Sequence, residues 1–378
     1  MHFVYQHIKR LICILSCLGS ATFLSFSQSG NVKDKLFVEG SYHYGFVMPH
    51  HEFMAYFIHE HVQGYQLNVG IQTDGSKLWH KHYNYPKMGV GFFHSGLGND
   101  AIYGNMSAVY FFFDRMFLNN NRTINFGNKI AFGLSYIDKR FDMYSNPFNI
   151  AIGSRLNVYI NYRIETDIRL MPLLHFKAGL GVTHASNGHF KEPNKGINVI
   201  TTNASLIYSF SDLRKTIAGT TEPEPANAPK NQYLVTAAYG WKGTSRLFRN
   251  EYPVYALSFE YARKVSRTGA LGSAFTFYVD KSLRYELEND YDNPGATSKP
   301  IDNLRIAFNL SYEMRMGNLA YLIQPGIYLK NAYKKPGTIS NKLGLRYYVN
   351  SHWAASIMVK AHWMAIADVV EWGIGYKL

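Results

Sequence analysis

Cysteine is almost missing from this chain of 378 residues, and both copies, Cys13 and Cys17, lie near its start. A chain that loses its first 27 residues keeps none, so no disulfide framework can staple it. Long apolar runs are missing too. After residue 27 no uncharged stretch is long enough for a membrane-spanning helix. There is no Gly-x-Ser-x-Gly elbow, and no glycine loop ending in Lys-Ser/Thr that would cradle a phosphate. His51-Glu52 is followed by Phe53, Met54 and Ala55, so the zinc-protease spacing of two histidines four residues apart is absent. Acidic residues are outnumbered, 26 against 39 Lys and Arg, for a formal charge of +13. Loss of Lys9 and Arg10 with the leader lowers that charge by two.

The first 27 residues read as a secretory signal peptide. Lys9 and Arg10 form the positive start, residues 11–26 the apolar core, and Ser25-Phe26-Ser27 or Ser27-Gln28-Ser29 the small-residue cleavage site. Two alternatives are a membrane anchor, for which the segment is short and rich in Ser and Thr, and acylation at Cys17 after Ile14-Leu15-Ser16. A basic exported protein points to an anionic surface as partner and away from nucleic acid.

What is abundant is tyrosine and phenylalanine, 29 and 25, spread through stretches of alternating polarity about ten residues long. The first series is 36–46, 62–71, 87–96, 103–114, 122–137, 152–165, 173–183 and 198–210. The second is 232–242, 254–265, 271–280, 302–316, 319–330, 338–349, 352–362 and 368–378. An even number of alternating stretches, about sixteen, predicts an all-β antiparallel transmembrane β-barrel. Short connections at 115–121, 266–270, 317–318 and 350–351 alternate with long ones at 47–61, 138–151, 186–197 and 281–301. That asymmetry puts the long loops outside the cell and the short turns in the periplasm. The connections 72–86 and 211–231 fit less well. The latter carries Glu222-Pro223-Glu224-Pro225 and reads as a linker. The expected organisation is a signal peptide (1–27), a first β half (36–210), a linker (211–231) and a second β half (232–378) completing the barrel. An eight-stranded half followed by a separate second β half is the alternative.

Residues 173–210 stand out. Leu174, Phe176, Ala178, Leu180 and Val182 share one parity, and that parity runs on into His184 and Ser186. In the next stretch Ile200, Ala204, Leu206, Tyr208 and Phe210 form the apolar face, with Asn198 on the same parity. A period of two then brings His184, Ser186 and Asn198 together on the outside of a sheet. Polar groups there suit a site acting on something embedded in lipid. They are also what any barrel rim carries.

At His184-Ala185-Ser186-Asn187, followed by Pro193-Asn194 and the strand ending at Phe210, the chain resembles the lipid A 3-O-deacylases of the outer membrane and the related acyloxyacyl hydrolases of Bacteroidetes-type bacteria. The stretches Gln72 to His80, Tyr83 to Pro86, Lys360 to Trp363 and Glu371-Trp372-Gly373 resemble the longer relatives. The resemblance implies a serine esterase with no cofactor. Ser186 would be the nucleophile and His184 its general base. Asn198 would stand where the deacylases carry a glutamate that orients the imidazole, with Glu192 a possible substitute. Asn187 and Asn194 are candidates for oxyanion stabilisation or loop positioning. Lipopolysaccharide would be the partner, met in the outer membrane of a Gram-negative cell. The last residues, Trp372 to Leu378, resemble the terminal strand read by the outer-membrane assembly machinery.

Other readings stay open from sequence: a non-catalytic barrel (a porin or a structural protein), or a phospholipid esterase with the same site. His50, His51, His59 and His61 with Glu52 and Glu60, and likewise His80 and His82, form either metal clusters or hydrated loops. Lys139-Arg140, Lys191, Lys195 and Lys334-Lys335 are candidates for meeting lipid phosphates.

Overall fold

A computed structural model describes residues 32–49, 51–118, 122–212, 230–244, 250–335, 337–362 and 366–378. The signal peptide and most of the linker lie outside the described residues.

The first eight strands are β1 (Leu36–Val47), β2 (Val62–Gln72), β3 (Lys87–Gly96), β4 (Asn105–Met116), β5 (Ile124–Ile137), β6 (Leu156–Met171), β7 (Leu174–Ser186) and β8 (Ile197–Ser209). They pair in chain order, and β1 closes on β8 from Phe37↔Ser209 to Val47↔Val199. The expected single ring of sixteen strands is therefore corrected to the eight-stranded alternative. β1 spends its free edge on β8, and no edge remains for the second half to join.

Residues from 231 onward close a ring of their own. Its strands are β9 (Asn231–Gly243), β10 (Glu251–Lys264), β11 (Gly269–Asp280), β12 (Leu304–Met316), β13 (Leu319–Gln324), β14 (Gly326–Lys330), β15 (Ser340–Tyr348), β16 (Trp353–His362) and β17 (Ile366–Lys377). β13 and β14 are one strand of the ring, interrupted at Pro325, which has no N–H to give a ladder. β11 pairs with β12 and β17 with β9, so eight positions go round.

Both interiors are filled, as expected for rings this narrow. Alternate residues turn charged side chains inward, and these pair. Lys129 Nζ lies 2.6 Å from Glu39 Oε2, Lys87 Nζ lies 3.0 Å from Asp167 Oδ2, and Lys177 bonds Asp114. In the second ring Lys360 Nζ and Arg305 Nη1 meet Asp368 Oδ2 at 2.6 and 3.1 Å. The opposite parity is apolar and faces out: Leu67, Val109, Ile164, Leu180 and Leu206 are all more than half exposed. Such a surface is stable only against lipid.

At the long-loop end of the first barrel the interior changes character. Val47, Met54, Val62, Phe93, Leu97, Tyr103, Met106, Ile150, Ile152, Tyr159, Ile197 and Val199 form an apolar cluster under the loops. This cluster anchors residues 138–155 through Ile150, Ala151 and Ile152. At the other end, residues 73–86 are long because they fold into a cap around the helix α2 (Leu78–His82), which follows the short helix α1 (Glu52–Ala55) of the first long loop.

Candidate active site

β7 ends in His184, Ala185 and Ser186. Ala185 points into the cluster under the loops, 1 % exposed, so its two neighbours point out. β8 runs back alongside, and the register sets His184 opposite Asn198. The three polar residues therefore meet on the outer face, as the alternation predicts. His184 Nδ1 lies 2.7 Å from Asn198 Oδ1, and His184 Nε2 lies 2.9 Å from Ser186 Oγ. Asn198 Oδ1 can only accept, so the proton sits on Nδ1, and the Nε2 lone pair is left to accept from the Ser186 hydroxyl. On the other flank β6 sets Ile160 opposite His184 and Val158 opposite Ser186. Below them, Val182 and Leu180 continue the same apolar face.

The loop 187–196 closes over this group. Gly196 has φ +77°, and a Cβ there would stand 2.9 Å from His184 Cε1 and 3.3 Å from the Ser186 Cβ. Only glycine meets both demands. The Gly196 N–H donates to the Ala151 carbonyl at 2.9 Å, which ties the loop to residues 138–155. Sequence reading missed Gly196. The one signal was its place directly before the strand that carries Asn198.

The two loop asparagines take different parts. Asn187 is fully buried. Its Nδ2 donates to the Lys191 carbonyl at 2.7 Å, and its Oδ1 accepts from the His189 N–H at 3.0 Å. Its backbone N–H donates to Asn194 Oδ1 at 2.9 Å. Those bonds set the loop's shape. Asn194 thus has its oxygen engaged beside Ser186's chain neighbour, while its Nδ2 is buried and without a partner. Glu192 turns its carboxylate to His189 Nε2, 3.3 Å away. The place beside His184 Nδ1 is taken by Asn198.

Three histidines of the candidate metal groups have other partners. His51 Nδ1 caps α1 by accepting from the Phe53 N–H at 3.2 Å, and His61 packs on Tyr44. His80 Nδ1 accepts from the Gly75 N–H at 3.2 Å and sits beside Asp74. His50 lies outside the described residues. Among the described residues no three metal-type ligands gather. Lys335 is engaged by Asp290 and Asp292, at 2.9 and 2.5 Å.

Residues 63–206 match the family model for lipid A 3-O-deacylase. Residues 231–378 match the model for the acyloxyacyl hydrolase C-terminal domain. The two models together span well over half of the chain. The chain belongs to the lipid A 3-O-deacylase and acyloxyacyl hydrolase family. The first matched stretch ends eight residues beyond Asn198, so His184, Ser186 and Asn198 lie within it, and the second matched stretch corresponds to the second ring. No curated protein sequence matches the chain. Among solved structures, it is similar to the outer membrane enzyme PagL, with 15 % identity over 44 % of this chain and 97 % of that one, at a TM-score of 0.32. It is similar also to the Neisserial surface protein A, with 6 % identity over 46 % and 96 %, at a TM-score of 0.31.

Proposed function

We propose that this protein is an outer-membrane serine esterase that removes an ester-linked acyl chain from lipid A. The observation that carries the reading is the hydrogen-bonded row Ser186–His184–Asn198 on the outer face of a barrel strand, inside the part of the chain that matches the deacylase model. An ester in a membrane lipid lies just below the headgroup, at the height where this row ends the apolar face of β7.

In this reading Ser186 Oγ attacks the ester carbonyl carbon while His184 Nε2 takes its proton. The carbonyl oxygen becomes an oxyanion, and the unpartnered Asn194 Nδ2 is the group free to donate to it. His184 then gives the proton to the leaving alcohol, and the acyl group stays on Ser186. A water, deprotonated by the same imidazole, releases the fatty acid. Asn198 keeps Nδ1 protonated and the ring in plane, but it brings no negative charge to balance the imidazolium. Val182 and Leu180, exposed below the row, give the acyl chain an apolar path. Lys139 and Lys195, exposed at the loop end, are suited to the phosphates of the headgroup.

A porin is the weaker reading. Arg163, Lys129 and Lys177 in one interior, and Arg305, Lys242 and Lys360 in the other, are buried in ion pairs, which supports a packed core in each ring.

The test is release of free fatty acid from purified lipopolysaccharide in detergent, with phospholipid as a parallel substrate. Ser186→Ala and His184→Ala should each lower the rate by roughly 10⁴-fold or more while the barrel still migrates in its heat-modifiable form. The double variant should be little worse than either, because the pair acts as a unit. Full activity in Ser186→Ala would exclude the serine mechanism. Activity on phospholipid alone would replace the substrate.

A further inference from the structure

Nothing in the site just described calls for a second barrel, yet the second barrel touches the first along its height. In the middle, Tyr321, Leu343, Leu345 and Val359 face Ile130, Phe132 and Ile160. At the end formed by residues 73–86, Trp79 lies against Gly317. At the loop end the contact falls on the catalytic loop itself. The β17–β9 ladder stops at Tyr239↔Trp372. Past that point the Gly243 N–H, at the end of β9, donates to the His189 carbonyl at 2.9 Å. The same glycine lies so near the loop that a Cβ on it would be 3.0 Å from the Phe190 carbonyl oxygen. Val370 of β17 fills the space under Gly188, where an added Cβ would stand 2.3 Å from Val370 Cγ2.

These contacts fall on the strained part of the loop. Gly188 and His189 have φ of +65° and +71°. Two left-handed residues in succession are unusual, and for the histidine the conformation is strained. Such a pair persists only where its surroundings over-determine it. The first barrel holds the far half of the loop, through Lys195 and Gly196 to Ile150 and Ala151. The near half, next to Ser186, is held by the second.

We propose that the second barrel is the seat of the catalytic loop. The end of β9 and Val370 of β17 fix residues 188–190, and through them the Asn187–Asn194 bond that aims the Asn194 amide beside Ser186. The proposal rests on the esterase reading for its catalytic consequence. For the seat itself it rests only on the contacts.

The experiment uses the full chain. Hydrogen exchange of the amides of residues 187–196 reads the seat without turnover. Gly243→Pro removes the donor and should speed exchange across the loop, while exchange in β2 to β4 stays as in the wild type. Val370→Ala empties the space under Gly188 and should speed exchange at residues 188–190 and lower kcat on lipopolysaccharide by roughly threefold or more through misplacement of the reacting groups, with KM little changed. Unchanged loop exchange in Gly243→Pro would overturn the proposal. So would unchanged loop exchange in Val370→Ala. Should Gly243→Pro not assemble, Val370→Ala decides. If the wild type releases no fatty acid from any lipid, the esterase reading falls and the catalytic consequence with it, and the exchange result alone decides the seat.

Discussion

In the proposed mechanism Asn198 is the residue on which the chemistry turns most finely. Its Oδ1, 2.7 Å from His184 Nδ1, orients the imidazole and, being part of a neutral amide, adds no charge of its own. Asn198→Ala removes one neutral hydrogen bond, about 1 kcal/mol, and should slow deacylation roughly three- to tenfold. Asn198→Glu should keep or raise the rate. Initial rates on purified lipopolysaccharide check both, and a dead Asn198→Glu would show that the pocket beside Nδ1 does not take a carboxylate. Asn194→Ala should cost about 10²–10³ in kcat if its Nδ2 donates to the oxyanion. The row His184, Ser186 and Asn198 was legible in the sequence because a strand's period of two fixes the face, and neighbouring alternating stretches fix the pairing. Gly196 and the separate roles of Asn187 and Asn194 were not. They depend on a loop held by Ile150 and Ala151 at one end and met by Gly243 and Val370 at the other, all distant in sequence.

At the scale of elements, β7 shows how far alternation carries. Leu180 and Val182 are 57 % and 43 % exposed, while Lys177 and Thr183 are buried, the facing that the pattern predicts. Leu180→Arg should destabilise the barrel by roughly 2–4 kcal/mol if it lies near the bilayer midplane, read as a fall in the urea midpoint of the heat-modifiable form. A silent Leu180→Arg would mean that this face does not meet lipid. The cap 73–86 was illegible, because its length looked like a loop and its order comes from buried partners. Burial pushes the His80 imidazole down to about 4, against the pull of Asp74. Burial also opposes ionisation of Asp74, but bonds from Lys35 and Ser76 outweigh it and hold that carboxyl well below the usual range. In the unfolded chain His80 takes up its proton near 6.5. It does so in the cap only near 4. Its contribution to stability is therefore whole above pH 6.5 and lost as the pH falls towards 4. Urea midpoints across that window should decline, and the decline should shrink in His80→Gln.

For the whole molecule, the choice between one ring and two was not in the pattern. Both give the same alternation and an even strand count, and closure is decided by which strand takes the free edge of β1. The charged inward residues held a hint. Glu39, Lys129, Glu165 and Lys177 pair with each other, which suits a filled ring of eight better than a wet ring of sixteen. Orientation is open to a direct check. A cysteine in place of Lys191 should react with an impermeant thiol reagent on intact cells, and labelling only after lysis would turn the molecule over. The central claim is tested most directly by mass spectrometry of lipid A from cells that make either the wild-type chain or Ser186→Ala. Wild-type cells should show lipid A lighter by one acyl chain, and Ser186→Ala cells the intact species. The same loss in both, or in neither, would contradict a serine deacylase.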